Sequence, residues 1–218
     1  MLIGELVDKA PIGAAAFAIP QFLPQLIKVQ ATGDVAGVSW AWATLTGVNN
    51  AAWLVYFALS GFWTALAPAL SATVLAGALA TMLALRGQAR MWPTAAIGAW
   101  AALLAGGCTA AGRTGLGALL TAAFVLQVTP SIWTAYQTDR PTGVSHATWM
   151  LILGELSCWT VFGLHESDPR LIILGFSGVA ASALMLARIR RTCEPRHRSR
   201  LKAMRVTGHL EPTSSHEP

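Results

Sequence analysis

The sequence predicts an all-α membrane protein: seven transmembrane helices, built as two three-helix bundles joined by a linker helix. Three observations predict it. Of 218 residues, 54% are hydrophobic and only 11% charged, and mean hydropathy is +0.53. Soluble domains carry about 25% charged residues, and so few charges cannot hide that much apolar surface from water. Apolar stretches of about 20 residues, the length of helix that crosses the hydrocarbon core, follow one another with few interruptions. The chain also matches itself at an offset of 106 residues. These features exclude a disordered chain, a nucleic-acid module and most cytosolic enzymes. The pI of 9.6 does not mark a DNA-binding face, because eight of the 15 Lys and Arg residues lie between Arg188 and Arg205.

The expected spans are 10–30, 38–59, 63–86, 93–112, 114–136, 144–163 and 169–188. The first ends at the polar turn Thr32-Gly33-Asp34. Ser60-Gly61 makes a tight connection after the second, and Arg86-Gly87-Gln88 with Arg90 ends the third. Arg113 alone divides the fourth from the fifth, the weakest boundary of the set. Thr138-Asp139-Arg140-Pro141 closes the fifth, and His165 to Pro169 separates the last two. The residues from 189 to 218 lack apolar periodicity and read as a basic, disordered cytoplasmic tail. Glu5, Asp8 and Lys9 make a removable signal peptide unexpected. Cys108, Cys158 and Cys193 show neither metal-ligand spacing nor a redox motif, and two of them read as small buried apolar groups.

Basic residues orient the bundle. With seven spans, Lys28, Arg86, Arg90, Arg140 and the eight of the tail fall on one side, against Lys9, Arg113 and Arg170 on the other. The positive-inside rule then puts the N-terminus outside and the C-terminus in the cytoplasm of a multi-pass cell-membrane protein.

In the 106-residue register Gln21 meets Gln127, Pro24 meets Pro130, Gly37-Val38-Ser39 meets Gly143-Val144-Ser145, and Trp53 meets Trp159, with no gap. The first copy occupies 10–86 and the second 114–188, with 93–112 as the linker. An odd number of spans per copy, plus one between, lets both copies share an orientation about an axis along the membrane normal. That plan suits a transporter with a cavity between halves.

These residues also resemble the PQ-loop and SWEET (MtN3/saliva) superfamily, in its bacterial-type seven-helix form. Pro24-Gln25, followed thirteen residues after the proline by Gly37-Val38-Ser39, is similar to the PQ-loop signature. The second copy keeps the spacing as Pro130-Ser131 and Gly143-Val144-Ser145, with serine for glutamine. The resemblance implies transport of a small solute by rocking of two three-helix units, with sugars moved by SWEETs and amino acids by lysosomal PQ-loop proteins. It implies that Trp53 and Trp159 flank the solute, that Ser71 and Ser177 stand where SWEETs carry asparagine, and that Pro24, Gln25 and Pro130 form hinges.

The residues themselves point to the same level of the membrane. Asn49 and its repeat mate Glu155 fall at mid-span, each four residues before a tryptophan and so on the same helix face. An ionised group at a helix centre costs roughly 2.5–3.5 kcal/mol on insertion scales, so Glu155 is expected to face protein or water. It could take up a proton, balance a cationic solute, or hold helices together as a neutral acid. Pro20, Pro24 and Pro130 are expected to kink their helices. Trp40, Trp42, Trp63, Trp92 and Trp149 lie near span ends and read as an interfacial belt.

The expected function is transport of a small polar solute, first of all a sugar, by alternating access, with Trp53, Trp159, Ser71, Ser177, Asn49 and Glu155 lining the site. The alternatives are a proton-coupled amino-acid transporter and a ligand or sorting receptor on the same fold. No enzymatic set converges, and no cofactor or metal is expected. The expected partners are the solute, the bilayer and, through Glu155, protons; no nucleic acid is expected. A homo-oligomer is left open.

Overall fold

The computed structural model describes residues 10–167 and 169–207, the side chains of Thr64, Glu166 and 192–207 excepted. Glu5, Asp8, Lys9 and the tail after Thr207 lie outside the described residues. Every element within them is helical: α1 (Ala10–Ala18), α2 (Leu23–Thr32), α3 (Trp40–Ser60), a 3-10 turn (Trp63–Ala65), α4 (Leu66–Leu85), α5 (Met91–Gln137), α6 (His146–Glu166) and α7 (Pro169–Thr207). Five stretches are long and apolar enough to cross a membrane: Ala10–Thr32, Leu66–Leu85, Met91–Gln137, His146–His165 and Pro169–Arg191. α3 has 21 residues, but Asn49 and Asn50 at its middle lower its hydropathy, and it is not among the five.

α5 is the element the sequence divides in two. Its 47 residues would extend about 70 Å as a straight helix, more than twice the ~30 Å hydrocarbon core. Instead the backbone breaks at Ala111 and Gly112, where Gly112 takes φ +56° and ψ −139°. A Cβ on Gly115 would collide with the Gly107 carbonyl, and one on Gly107 with Leu119. Residues eight and twelve apart are separated by about 12 and 18 Å along a straight helix, so the chain doubles back here. The two arms, 91–110 and 113–137, pack together through Leu104, Leu116 and Leu120. Arg113 sits at this reversal.

The first span is interrupted as well. α1 and α2 are separated by the turn Ile19–Phe22, where Gln21 N–H donates to Ala18 O and Leu23 N–H to Pro20 O. Pro20 and Pro24 each lack a donor, and two such losses one turn apart break the helical ladder. Pro24 therefore stands in the first turn of α2. Its repeat mate Pro130 lies within the continuous C-terminal arm of α5, where position 126, the mate of Pro20, is leucine. The expected pair of matching kinks is thus one break and one tolerated proline.

Helix packing brings the two repeat copies together, α1 and α2 against α6 and α3 against α5. Within the copies, α4 packs on α3 and α1, and α7 packs on α6 and α5. Gly175 and Gly178 let α7 approach α6 closely, as a Cβ on them would strike Thr160 and Leu156. α7 runs as helix to Thr207. Arg, Leu, Lys, Met and Ala in that stretch are good helix formers, a local preference that a search for apolar periodicity does not register.

Candidate functional site

The two Gly-Val-Ser segments open their helices in the same way. Ser39 Oγ accepts from Trp42 N–H at 3.2 Å, and Ser145 Oγ accepts from Thr148 N–H at 3.3 Å. Each serine thereby pairs one of the unmatched donors at a helix start. The segments also pack on each other: Gly143 N–H donates to Ala36 O at 2.9 Å. Gly37, at φ +79°, lies where a Cβ would run into Pro141. Gly37→Ala is expected to destabilise the fold by about 1–3 kcal/mol, read as a lowered melting temperature in detergent. Gly61→Ala is the control, since Gly61 has a similar φ of +73° with open space around it. Equal losses in both variants would show that the contact with Pro141 contributes nothing.

Gln25 locks this end of the molecule. Its amide donates to Gly143 O at 2.9 Å and its carbonyl accepts from Ser145 N–H at 2.7 Å, while Lys28 Nζ donates to Val144 O at 2.6 Å. The mates of Gln25 and Lys28 are Ser131 and Thr134, too short to span the same gap, so one copy holds the loop of the other without reciprocation. This end is also the basic end. Arg86 donates to Val29 O at 2.9 Å at the end of α2, and Arg188 donates to Thr138 O at 2.8 Å at the end of α5. Both arginines satisfy carbonyls at helix C-termini. Burial pushes the Asp34 carboxyl up. The Ala36 N–H, the Thr142 hydroxyl and the charge of Lys28 more than offset this, so it titrates below its ordinary value.

Above the locked loops lies a cavity between the two copies, with a volume of about 80 Å³. Its floor is the stacked pair Trp42 and Trp149, ring centroids 5.6 Å apart and planes at 25°. Both were expected in an interfacial belt, yet they are only 3% and 1% exposed. They stand near helix ends but face each other across the copies, which sequence position cannot reveal. Trp63 and Trp92, by contrast, are exposed. The other end widens into a vestibule of about 310 Å³ lined by Tyr56, Phe62, Phe162 and Arg170. There Arg170 Nη1 donates to Tyr56 Oη at 2.9 Å. Trp53 and Trp159 line both spaces and form the neck between them.

Glu155 lines the inner cavity, where Trp159 Nε1 donates to its Oε1 at 3.4 Å and the Gln21 side chain also bonds to it. Gln21 lies in the break of the first span. Its mate Gln127 makes the mirrored contact, Oε1 accepting from Asn49 Nδ2 at 3.1 Å. Glu155 and Asn49 are themselves mates in the 106-residue register, so equivalent residues make the same kind of contact twice.

Three of the expected lining residues face elsewhere. Asn49 is 1% exposed and spends its amide on the two arms of α5, donating to Ala123 O at 3.0 Å and accepting from Trp100 Nε1 at 2.8 Å. Its neighbour Asn50 lines the cavity instead. Ser71 Oγ donates to Ile19 O at 2.9 Å, a carbonyl whose helical donor, Leu23 N–H, is bonded to Pro20 O. Ser177 Oγ donates within its own helix, to Ile173 O at 2.6 Å. Ser71→Ala is therefore expected to lower stability by about 1 kcal/mol while leaving solute affinity unchanged. A melting curve with a binding isotherm tests this, and a changed affinity would return Ser71 to the site.

Sequence reasoning missed Asn50, Thr46, Gln21 and Gln127 as lining groups. Asn50 is three residues before Trp53, so a shared face was available as a signal. Thr46 Oγ1 is buried, has no hydrogen-bond partner among the described residues, and belongs to a residue that lines the cavity. No protein-family model matches the chain, and no curated protein matches it.

Proposed function

We propose that the chain is a seven-span transporter of the SWEET and PQ-loop type that carries a small polar solute by alternating access. In this reading the two arms of α5 are separate spans, the first being the linker helix of a 3-1-3 arrangement. The basic end faces the cytoplasm and the vestibule faces outward, which puts the N-terminus outside. The observation that carries the reading is a single one. A cavity at the boundary between two repeat copies is open through an aromatic neck at one end and closed at the other by Gln25, Lys28 and the Trp42–Trp149 stack. A site between two pseudo-equivalent units, reached from one side at a time, is what alternating access requires.

The break at Ile19–Phe22 supplies a place where the first span can flex, and Gln21 within it reports that movement directly to Glu155. Uptake of radiolabelled sugars, amino acids and small amines into sealed proteoliposomes, with and without a pH gradient, tests the proposal. Saturable flux is expected; saturable binding without flux would make the protein a receptor.

A further inference from the structure

We infer that the solute is a small organic monocation without a carboxylate, an alkylammonium held between Trp53 and Trp159 against the Glu155 carboxylate. The inference deepens the transporter reading and rests on its choice of cavity.

Charge is the first argument. Glu155 is the only formally charged side chain among the described residues lining the inner cavity, and its contacts there are neutral, the Trp159 indole N–H and the Gln21 amide. Cys158, on the same helix, is a titratable thiol that feels the Glu155 charge. α7 contributes Leu171 and Leu174 to the lining, and α5 contributes Phe124, Gln127 and Val128. An ionised carboxylate in that setting has no countercharge, and a bound cation supplies one. An amino acid would instead bring a second carboxylate into a cavity with no lining base. Arg170 is in the vestibule, bonded to Tyr56. Tyr56 lies seven residues beyond the Glu155-equivalent position Asn49, or about 10 Å along the helix axis.

The walls are the second argument. Trp53 stacks on Phe57 with centroids 5.3 Å apart, and both line the cavity together with Trp159. Aromatic faces beside a carboxylate recognise alkylammonium groups through the ring quadrupole. The third argument concerns a sugar. Many hydroxyls need many free polar arms, yet among the polar lining groups Gln21 bonds to Glu155, Gln127 accepts from Asn49 and Asn50 donates to Thr46 O. The geometry also makes proton and solute alternatives. When the cation binds to protonated Glu155, the O–H bond breaks, its electron pair stays on the carboxylate, and one proton leaves to water.

Calorimetric titration of the purified protein with choline, its neutral isostere 3,3-dimethylbutan-1-ol, glycine betaine and glucose provides the test. Choline is expected to bind at least 10-fold more tightly than each of the other three. Glu155→Gln is expected to erase the preference over the neutral isostere, and Glu155→Asp to retain it. No choline binding, equal binding of choline and its isostere, or tighter binding of glycine betaine or glucose would overturn the inference. So would a full preference in folded Glu155→Gln. Labelled-choline uptake into liposomes separates the two proposals: choline binding without flux sinks transport and leaves the cation site standing, whereas glucose flux without choline binding does the reverse.

Discussion

Replacing Glu155 by glutamine is expected to remove the response of uptake to a pH gradient and, without a gradient, to lower cation uptake because the countercharge in the cavity is lost. The amide cannot exchange a proton, yet it keeps the size and one oxygen with which the Trp159 indole and the Gln21 amide can bond. Folding should survive, because a neutral amide at mid-membrane is cheaper than an ionisable acid. Insertion scales put an ionised acid at a helix centre at roughly 2.5–3.5 kcal/mol. The expected melting temperature is therefore equal to or above that of the parent. Proton-driven uptake that persists unchanged in this variant would refute the proton role of Glu155. A collapse of all uptake with a lowered melting temperature would instead mark it as a packing residue.

The second large effect is expected at Gln25. Gln25→Ala removes the two hydrogen bonds by which this side chain, only 1% exposed, holds the Gly143 carbonyl and the Ser145 amide. A buried polar group left unpaired costs about 1–3 kcal/mol, and here two lose a partner together. Opening the basic end to water lets both groups hydrate, so the variant shifts toward the open state by at least 10-fold in population. A cysteine placed at the buried Ser131 reports the change in a background without native cysteines. Its alkylation by an impermeant maleimide from the basic side should accelerate at least 10-fold in Gln25→Ala. An unaltered rate would show that Lys28 and the Trp42–Trp149 stack hold the end closed without Gln25.

Much of the site was legible because the repeat carries it. Matching Trp53 to Trp159 and Gly37-Val38-Ser39 to Gly143-Val144-Ser145 needs only an ungapped register, and both pairs fall at equivalent places. Glu155 was legible from the scarcity of charge, since a lone acid in an apolar run has few places to go. The lining of the cavity was less legible. Asn49 and Asn50 are adjacent and differ by about 100° around the helix axis, so only the position of α5 decides which one faces the cavity. Ser71 read as a solute ligand from its register, yet a backbone carbonyl released by the break in the first span claims it.

The sequence by itself determined the apolar, all-helical membrane class and the internal register that relates its two halves. Both depend on composition and on spacing along one chain. Tertiary structure decided which neighbour of a pair faces the cavity, and that Trp42 and Trp149 stack as its floor. It also decided that one glutamine locks a loop more than a hundred residues away, and that Met91–Gln137 turns back on itself at Gly112. These depend on contacts between distant segments, whose geometry is set by how the helices pack and is carried by no local pattern.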